Sequence, residues 1–263
     1  MITSPPKTAE RIIAERRDRV LELTLNRPSA GNAFDAELYG ALADLLADAA
    51  SDVEVSCVVL GGGDRFSAGA DLRDLAADPA RRQTARDAYD RLLGQLEQFP
   101  KPLIAAVAGP AVGIGFTLLG HVDIVLVADN ARFRAPFAAL GLVPEAGSSA
   151  TLPAMLGPQR AAHLFYSGAW LSAEQAVEAG LALCRVPVDE LRSTAAALAD
   201  RIAAAPLSSL TATKRLLAAS RVIDAAAARR REDEAFTTAL ADPGVNAGLQ
   251  KVAEQIARKN EER

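Results

Sequence analysis

Apolar positions along the chain change period several times, and each change marks an element. Residues 11–16 and 20–25 read as two strands around the charged turn Arg17-Asp18-Arg19, and Asn26-Arg27-Pro28 ends the second. Behind Asp35, a helix-capping residue, Leu38, Leu42, Leu45, Leu46 and Ala49 follow the helical period. The unbroken apolar runs 57–60 and 103–108 have the character of parallel strands buried on both faces, and Gly61-Gly62-Gly63 breaks the first. Between them the pattern predicts a charged helix over 79–99. After the second come a glycine-rich turn over 109–115, a helix over 115–121 and a strand over 123–128. Past Pro136 the strands stop. Helices are predicted near 159–167, 172–179, 188–204, 207–220, 225–240 and 246–258. That tail is too large for one small sheet, so part of it is expected to pack on another subunit. No low-complexity linker or internal repeat divides the chain.

Composition narrows the class. The 263 residues are 50% hydrophobic and 24% charged, an ordinary globular balance with enough apolar side chain for a sizeable core. Only 5% are aromatic, so the core must be Leu, Val, Ile and Ala, which suits closely packed helices. A net charge of -4 excludes a broad nucleic-acid surface. The run Arg229-Arg230-Arg231 reads as a solvated helix face or as a local site for a phosphate or a neighbouring subunit. Cys57 and Cys184 lie far apart in strand-like stretches and read as buried thiols in a reducing compartment. His121 and His163 are not at metal-ligand spacing, so no metal site is expected. Residues 1–10 carry Pro5, Pro6 and Glu10 without an apolar run, which predicts neither a signal peptide nor a membrane span and points to the cytoplasm.

Two glycine-containing turns carry the candidate chemistry. Phe66-Ser67-Ala68-Gly69-Ala70-Asp71-Leu72 enters a short helix, and Ala108-Gly109-Pro110-Ala111-Val112-Gly113-Ile114-Gly115 does the same after the 103–108 strand. The first N–H groups of a helix lack internal acceptors and carry partial positive charge. Either turn alone is commonly just a turn. Two converging on one oxygen make an oxyanion hole.

In this order, with Leu25-Asn26-Arg27-Pro28, Asn32-Ala33, Lys101-Pro102, Asp123-Ile124, Pro136-Phe137, residues 140–145, Leu171-Ser172-Ala173 and Ala179-Gly180-Leu181, they resemble the crotonase superfamily of enoyl-CoA hydratases and isomerases over nearly the whole chain. The resemblance implies an α/β fold: a spiral of strand–strand–helix turns over residues 1–199 and a helical trimerisation region over 200–263. It also implies a homotrimer or a hexamer built from two trimers. The substrate would be a coenzyme A thioester, with no further cofactor. By position, the oxyanion donors fall on the N–H groups of Ala70 and Ile114. Ala68, Gly69, Ala70, Asp71 and Leu72 would line the coenzyme A site, with Arg27, Ala30 and Gly113 nearby. An exposed strand-end charge is the alternative for Arg27.

Hydratases of this family use two glutamates, and this chain has Thr117 and Phe137 in their places. Adding water across a double bond needs a positioned water and a proton donor, so hydration lacks an evident acid–base pair. The acid left at a family-recognised place is Glu145, in Val143-Pro144-Glu145-Ala146-Gly147, which resembles the segment of Δ3,Δ2-enoyl-CoA isomerases. There a single glutamate carries a proton between the α and γ carbons. Spacing alone would make Glu145 a first-turn glutamate complementing a helix dipole. Apolar walls such as Phe137 and Phe116 would desolvate its carboxyl. Asp71 and Asp123 read as structural acids. The leading expectation is therefore an enoyl-CoA isomerase. Thioester hydrolysis, carbon–carbon cleavage and a non-catalytic acyl-CoA-binding protein are the alternatives, with hydration behind them.

Overall fold

The computed structural model describes residues 11–261; residues 1–10, read above as free of a leader, lie outside them. The chain opens with an antiparallel hairpin, β1 (Ile12–Arg17) and β2 (Val20–Leu25), then α1 (Ala36–Ser51). Asp35 caps α1 by accepting from Leu38 N–H at 2.9 Å. There follow β3 (Cys57–Gly61), α2 (Leu72–Leu75), α3 (Pro79–Gln98), β4 (Leu103–Val107), β5 (Pro110–Val112), α4 (Ile114–Thr117), β6 (Ile124–Ala128) and β7 (Arg132–Arg134). The remainder is α5 (Ser148–Leu156), α6 (Pro158–Ser167), β8 (Leu171–Ser172), α7 (Ala173–Glu178), β9 (Cys184–Val186), α8 (Leu191–Ala203), α9 (Leu207–Ala241) and α10 (Pro243–Glu261).

Six strands form the main sheet in the order β1-β2-β3-β4-β6-β9, parallel from β2 onward. The smaller sheet runs β5-β7-β8 and is extended by single parallel bridges from Ala111 to Ser67 and from Ala70 to Phe34. Consecutive strands such as β4 and β5 thus fall in different sheets, and this stepping produces the spiral. Alternation along β3 sends Val58 and Leu60 into the core beneath α1 and α3, and Cys57 and Val59 against α8. Ala195, Ala199 and Ala203 recur every four residues on α8, so its backbone approaches the sheet closely.

Several expectations need correction. Strands do not stop at Pro136: β8 joins the small sheet and β9 pairs with β6 at the edge of the large one. Both are too short to show a period. α5 went unread because Pro153 lies inside it and its apolar residues do not favour one face. The helices expected over 207–220 and 225–240 are one helix, α9, because no Gly or Pro interrupts its 35 residues, a length of about 52 Å. Cys57 is buried, but Cys184 is only half-buried. Among the described residues no helix is long and apolar enough to cross a membrane.

Candidate active site

Residues 66–71 lie between two backbone partners. On one side Phe66 N–H donates to Ala108 O (2.9 Å), Ser67 N–H to Pro110 O (3.0 Å) and Val112 N–H to Ser67 O (2.9 Å). On the other, Phe34 N–H donates to Gly69 O and Asp71 N–H to Phe34 O, both at 2.8 Å. Asn32 braces the turn: its Nδ2 donates to the carbonyls of Gly62 (2.9 Å) and Arg65 (2.7 Å). Gly69 has φ +100°, and a Cβ there would stand 2.9 Å from Val112 O, so only glycine lets the two turns approach.

This arrangement frees two amides. In a parallel bridge the flanking residues pair, so the Phe34–Ala70 bridge uses Gly69 O and Asp71 N and leaves the Ala70 N–H facing away. The Ala70 N–H thus projects from an extended stretch, not from a helix terminus as the sequence suggested. Ile114 is the first residue of α4, so its N–H has no intrahelical acceptor. Among the described residues neither N–H meets a protein acceptor.

Glu145 lies ahead of α5, in the loop, and not in a first helical turn. Its Oε1 is 4.0 Å from the point a Cβ would occupy on Gly113, the residue before Ile114. The carboxyl makes no ion pair or hydrogen bond among the described residues. Burial pushes its pKa up to about 8; the nearby Glu232 charge adds to the rise and Arg86 opposes it.

The loop behind Glu145 is held from three directions. Ala146 N–H donates to Tyr89 Oη at 2.9 Å, and Ala146 O accepts from His121 Nε2 at 2.8 Å. Burial lowers the His121 pKa to about 4, so the ring is neutral, and the carbonyl partner requires the proton on Nε2. Gly147 and Ser149 N–H groups both donate to the Glu232 carboxylate at 2.7 Å. Ala146 has φ +63°, a left-handed conformation that costs a non-glycine residue about 1–2 kcal/mol and that these bonds sustain.

One cavity of about 760 Å³ brings Ala30, Ala68, Gly69, Ala70, Asp71, Leu72, Gly113 and Glu145 together. Ile114, fully buried behind Gly113 in sequence, does not line it, and neither does Arg27. It is buried, not an exposed strand-end charge, and its guanidinium is taken by Asp71 (2.8 Å), Asp35 (3.2 Å) and Ala33 O (2.8 Å). Burial would raise the Asp71 pKa, but hydrogen bonds from Arg73 and Arg27 overcome it and bring it to about 2. Asp123 is also structural: it accepts from Leu103 N–H (2.9 Å), pairs with Arg221 (3.0 Å) and contacts Lys214. Phe137 lines the cavity, whereas Thr117 is fully buried and does not. Phe116 is buried away from the cavity, against Phe133. Arg229 pairs with Glu97 (3.2 Å) and Asp90 (3.5 Å) of α3, while Arg230 and Arg231 are exposed. Tyr39, Tyr89, His121 and Glu232 were missed in the sequence. A lone polar residue on an otherwise apolar helix face was the only available signal.

The far wall of the cavity comes from α9 and α10, through Glu232, Phe236, Leu240 and Val252. The region expected to serve oligomerisation therefore also helps to build the cavity, through residues between Glu232 and Val252.

The enoyl-CoA hydratase/isomerase family model matches residues 15–262. A 2,3-dehydroadipyl-CoA hydratase of Escherichia coli K12 is 38% identical over 245 residues, 91% of this chain and 96% of that one. The peroxisomal enoyl-CoA delta isomerase 3 of Mus musculus is 36% identical over 174 residues, 65% of this chain and 55% of that one. Among solved structures, an enoyl-CoA hydratase/isomerase from Pseudoalteromonas atlantica T6c superposes with a TM-score of 0.87 at 35% identity, covering 93% of this chain and 97% of that one.

Proposed function

Because the chain belongs to the enoyl-CoA hydratase/isomerase family, we propose that it converts 3-enoyl-CoA into 2-enoyl-CoA, with Glu145 as the single proton carrier. The observation that carries this reading is that Glu145 is the uncommitted acid of the cavity. Asp71 is held by Arg27 and Arg73, Asp74 by Arg81, Asp233 by Arg86, and Glu232 by two backbone N–H groups. In the proposed reaction the ionised Glu145 removes a proton from C2 of the thioester. The electrons shift into a dienolate whose oxygen accepts from the Ala70 and Ile114 N–H groups. The Glu145 carboxylic acid then returns the proton to C4. One carrier suffices, and a pKa of about 8 suits a group that must both take and give a proton near neutrality.

Hydration of 2-enoyl-CoA is the second reading, favoured by the name of the Escherichia coli relative. It would require Glu145 to act alone on both the water and the carbon. The deciding experiment follows 3-enoyl-CoA isomerisation and 2-enoyl-CoA hydration in parallel, with saturated acyl-CoA as a probe of thioester hydrolysis. Dominant isomerisation that Glu145→Gln removes is the expected result. Dominant hydration, or isomerisation untouched by the substitution, refutes the reading. The proposal extends to assembly: Leu216, Leu217 and Ile223 of α9 are exposed and would be covered in a homotrimer. Light scattering that shows a monomer at micromolar concentration would overturn that part.

A further inference from the structure

Glu232 is 5% exposed, and among the described residues no cation pairs with it. A buried carboxylate without a cation is a costly feature to keep. Its two oxygens are instead divided between Gly147 N–H and Ser149 N–H, at 2.7 Å each. Those are the unsatisfied donors at the start of α5, a helix with no side-chain cap of its own. A carboxylate on α9 thus caps a helix 85 residues earlier in the chain.

The capped turn is the one that presents Glu145. Between Glu145 and α5 stand only Ala146 and Gly147, with φ of +63° and +71°. Ala146 is pinned by Tyr89 and His121, and Ser148 N–H donates to Glu145 O at 3.1 Å. The groups bearing on Glu145 come from several elements: Tyr39 of α1, Arg86 and Tyr89 of α3, and Glu232 and Asp233 of α9. The neutral His121 ring touches the loop at Ala146. Arg86 and Asp233 pair with each other at 2.7 Å, which offsets their charges. Glu232 is left as the carboxylate that holds the loop and whose charge bears on Glu145.

We propose that Glu232 is a positioning residue for Glu145: it fixes the turn from which the base projects and places its own carboxylate beside that turn. This rests on the reading that Glu145 carries the proton. Loss of the clamp should cost turnover more than binding, because small misplacements of a catalytic group cost on the order of 100-fold in rate.

Two substitutions separate the two roles. Glu232→Gln removes the charge and turns an N–H2 toward one backbone N–H. It should lower kcat on the order of 10- to 100-fold and move the midpoint of the pH profile of kcat/KM downward. Glu232→Asp keeps the charge but shortens the reach. It should lower kcat while leaving the midpoint closer to that of the unsubstituted protein. For both, calorimetric affinity for a saturated acyl-CoA should stay within about twofold, since binding depends on uniform contacts elsewhere. If Glu232→Gln does not fold, Glu232→Asp together with infrared titration of the Glu145 carboxyl carries the test. A Glu232→Gln variant with unchanged kcat and an unchanged midpoint overturns the proposal. So does a loss confined to KM or affinity. Failure of the underlying reading looks different: Glu145→Gln would then leave isomerisation intact, whatever position 232 holds.

Discussion

Glu145→Gln should make the protein a poorer enzyme and a more stable fold, and the second effect should depend on pH. The carboxyl has a reference pKa of 4.5 and reaches about 8 in the fold. A folded pKa above the unfolded one means that the folded state holds the proton more tightly. The stability tied to that proton is fully present below about pH 4.5 and is lost as pH rises through 8. At ~1.36 kcal/mol per decade, ionisation costs the fold on the order of 5 kcal/mol, and the partial exposure of Glu145 lowers this to roughly 2–4 kcal/mol. Glutamine keeps the shape and never ionises. Thermal unfolding of the two proteins should therefore coincide near pH 4.5. At pH 9 the variant should melt higher by roughly 5–15 °C, at ~2–4 °C per kcal/mol for a chain of this size. Activity should fall ~100- to ~10,000-fold. A melting difference that stays constant across this range would refute the reasoning, because Glu145 would then titrate alike in folded and unfolded chains.

Further expectations follow from the same geometry. The kcat/KM for isomerisation should rise with pH to a plateau with a midpoint about 8, because the base must be ionised in the free enzyme; a profile flat from pH 6 to 9 would contradict this. Ala70→Pro deletes one oxyanion donor and should lower kcat on the order of 100-fold; a folded variant with full turnover would remove Ala70 from the oxyanion hole. Arg27→Met leaves the Asp71 and Asp35 carboxylates without their shared guanidinium and should destabilise the protein by about 3–5 kcal/mol in urea unfolding; unchanged stability would show that the brace is dispensable.

What could be read from the chain alone depended on range. The β1–β2 hairpin, the capped α1 and the buried strands β3 and β4 were legible because each rests on local periodicity or a local cap. Glu145 and the two turns stood out through the family resemblance of the segments that carry them, and the fold gathers these segments around one cavity. The supports of that cavity were not legible. Tyr89 reaches Ala146 across 57 residues, His121 across 25, and Glu232 reaches Gly147 across 85. Each is a side chain meeting a backbone group, and a backbone group leaves no mark on residue identity. For Arg27 the alternative of an exposed strand-end charge fails for a related reason: Asp35 and Asp71 arrive from other elements and bury it.

The clamp between α9 and the start of α5 also orders events during synthesis. A ribosome releases Glu145 and its loop well before Glu232. At ~5–20 residues per second, the 85 positions from Gly147 to Glu232 take roughly 4–17 s to make. Through that interval the cavity lacks the wall supplied by α9 and α10, and Glu145 lacks the enclosure those helices give it. A chain cut short before them would carry Ala70, Ile114 and Glu145 and still lack the wall that encloses the Glu145 carboxyl.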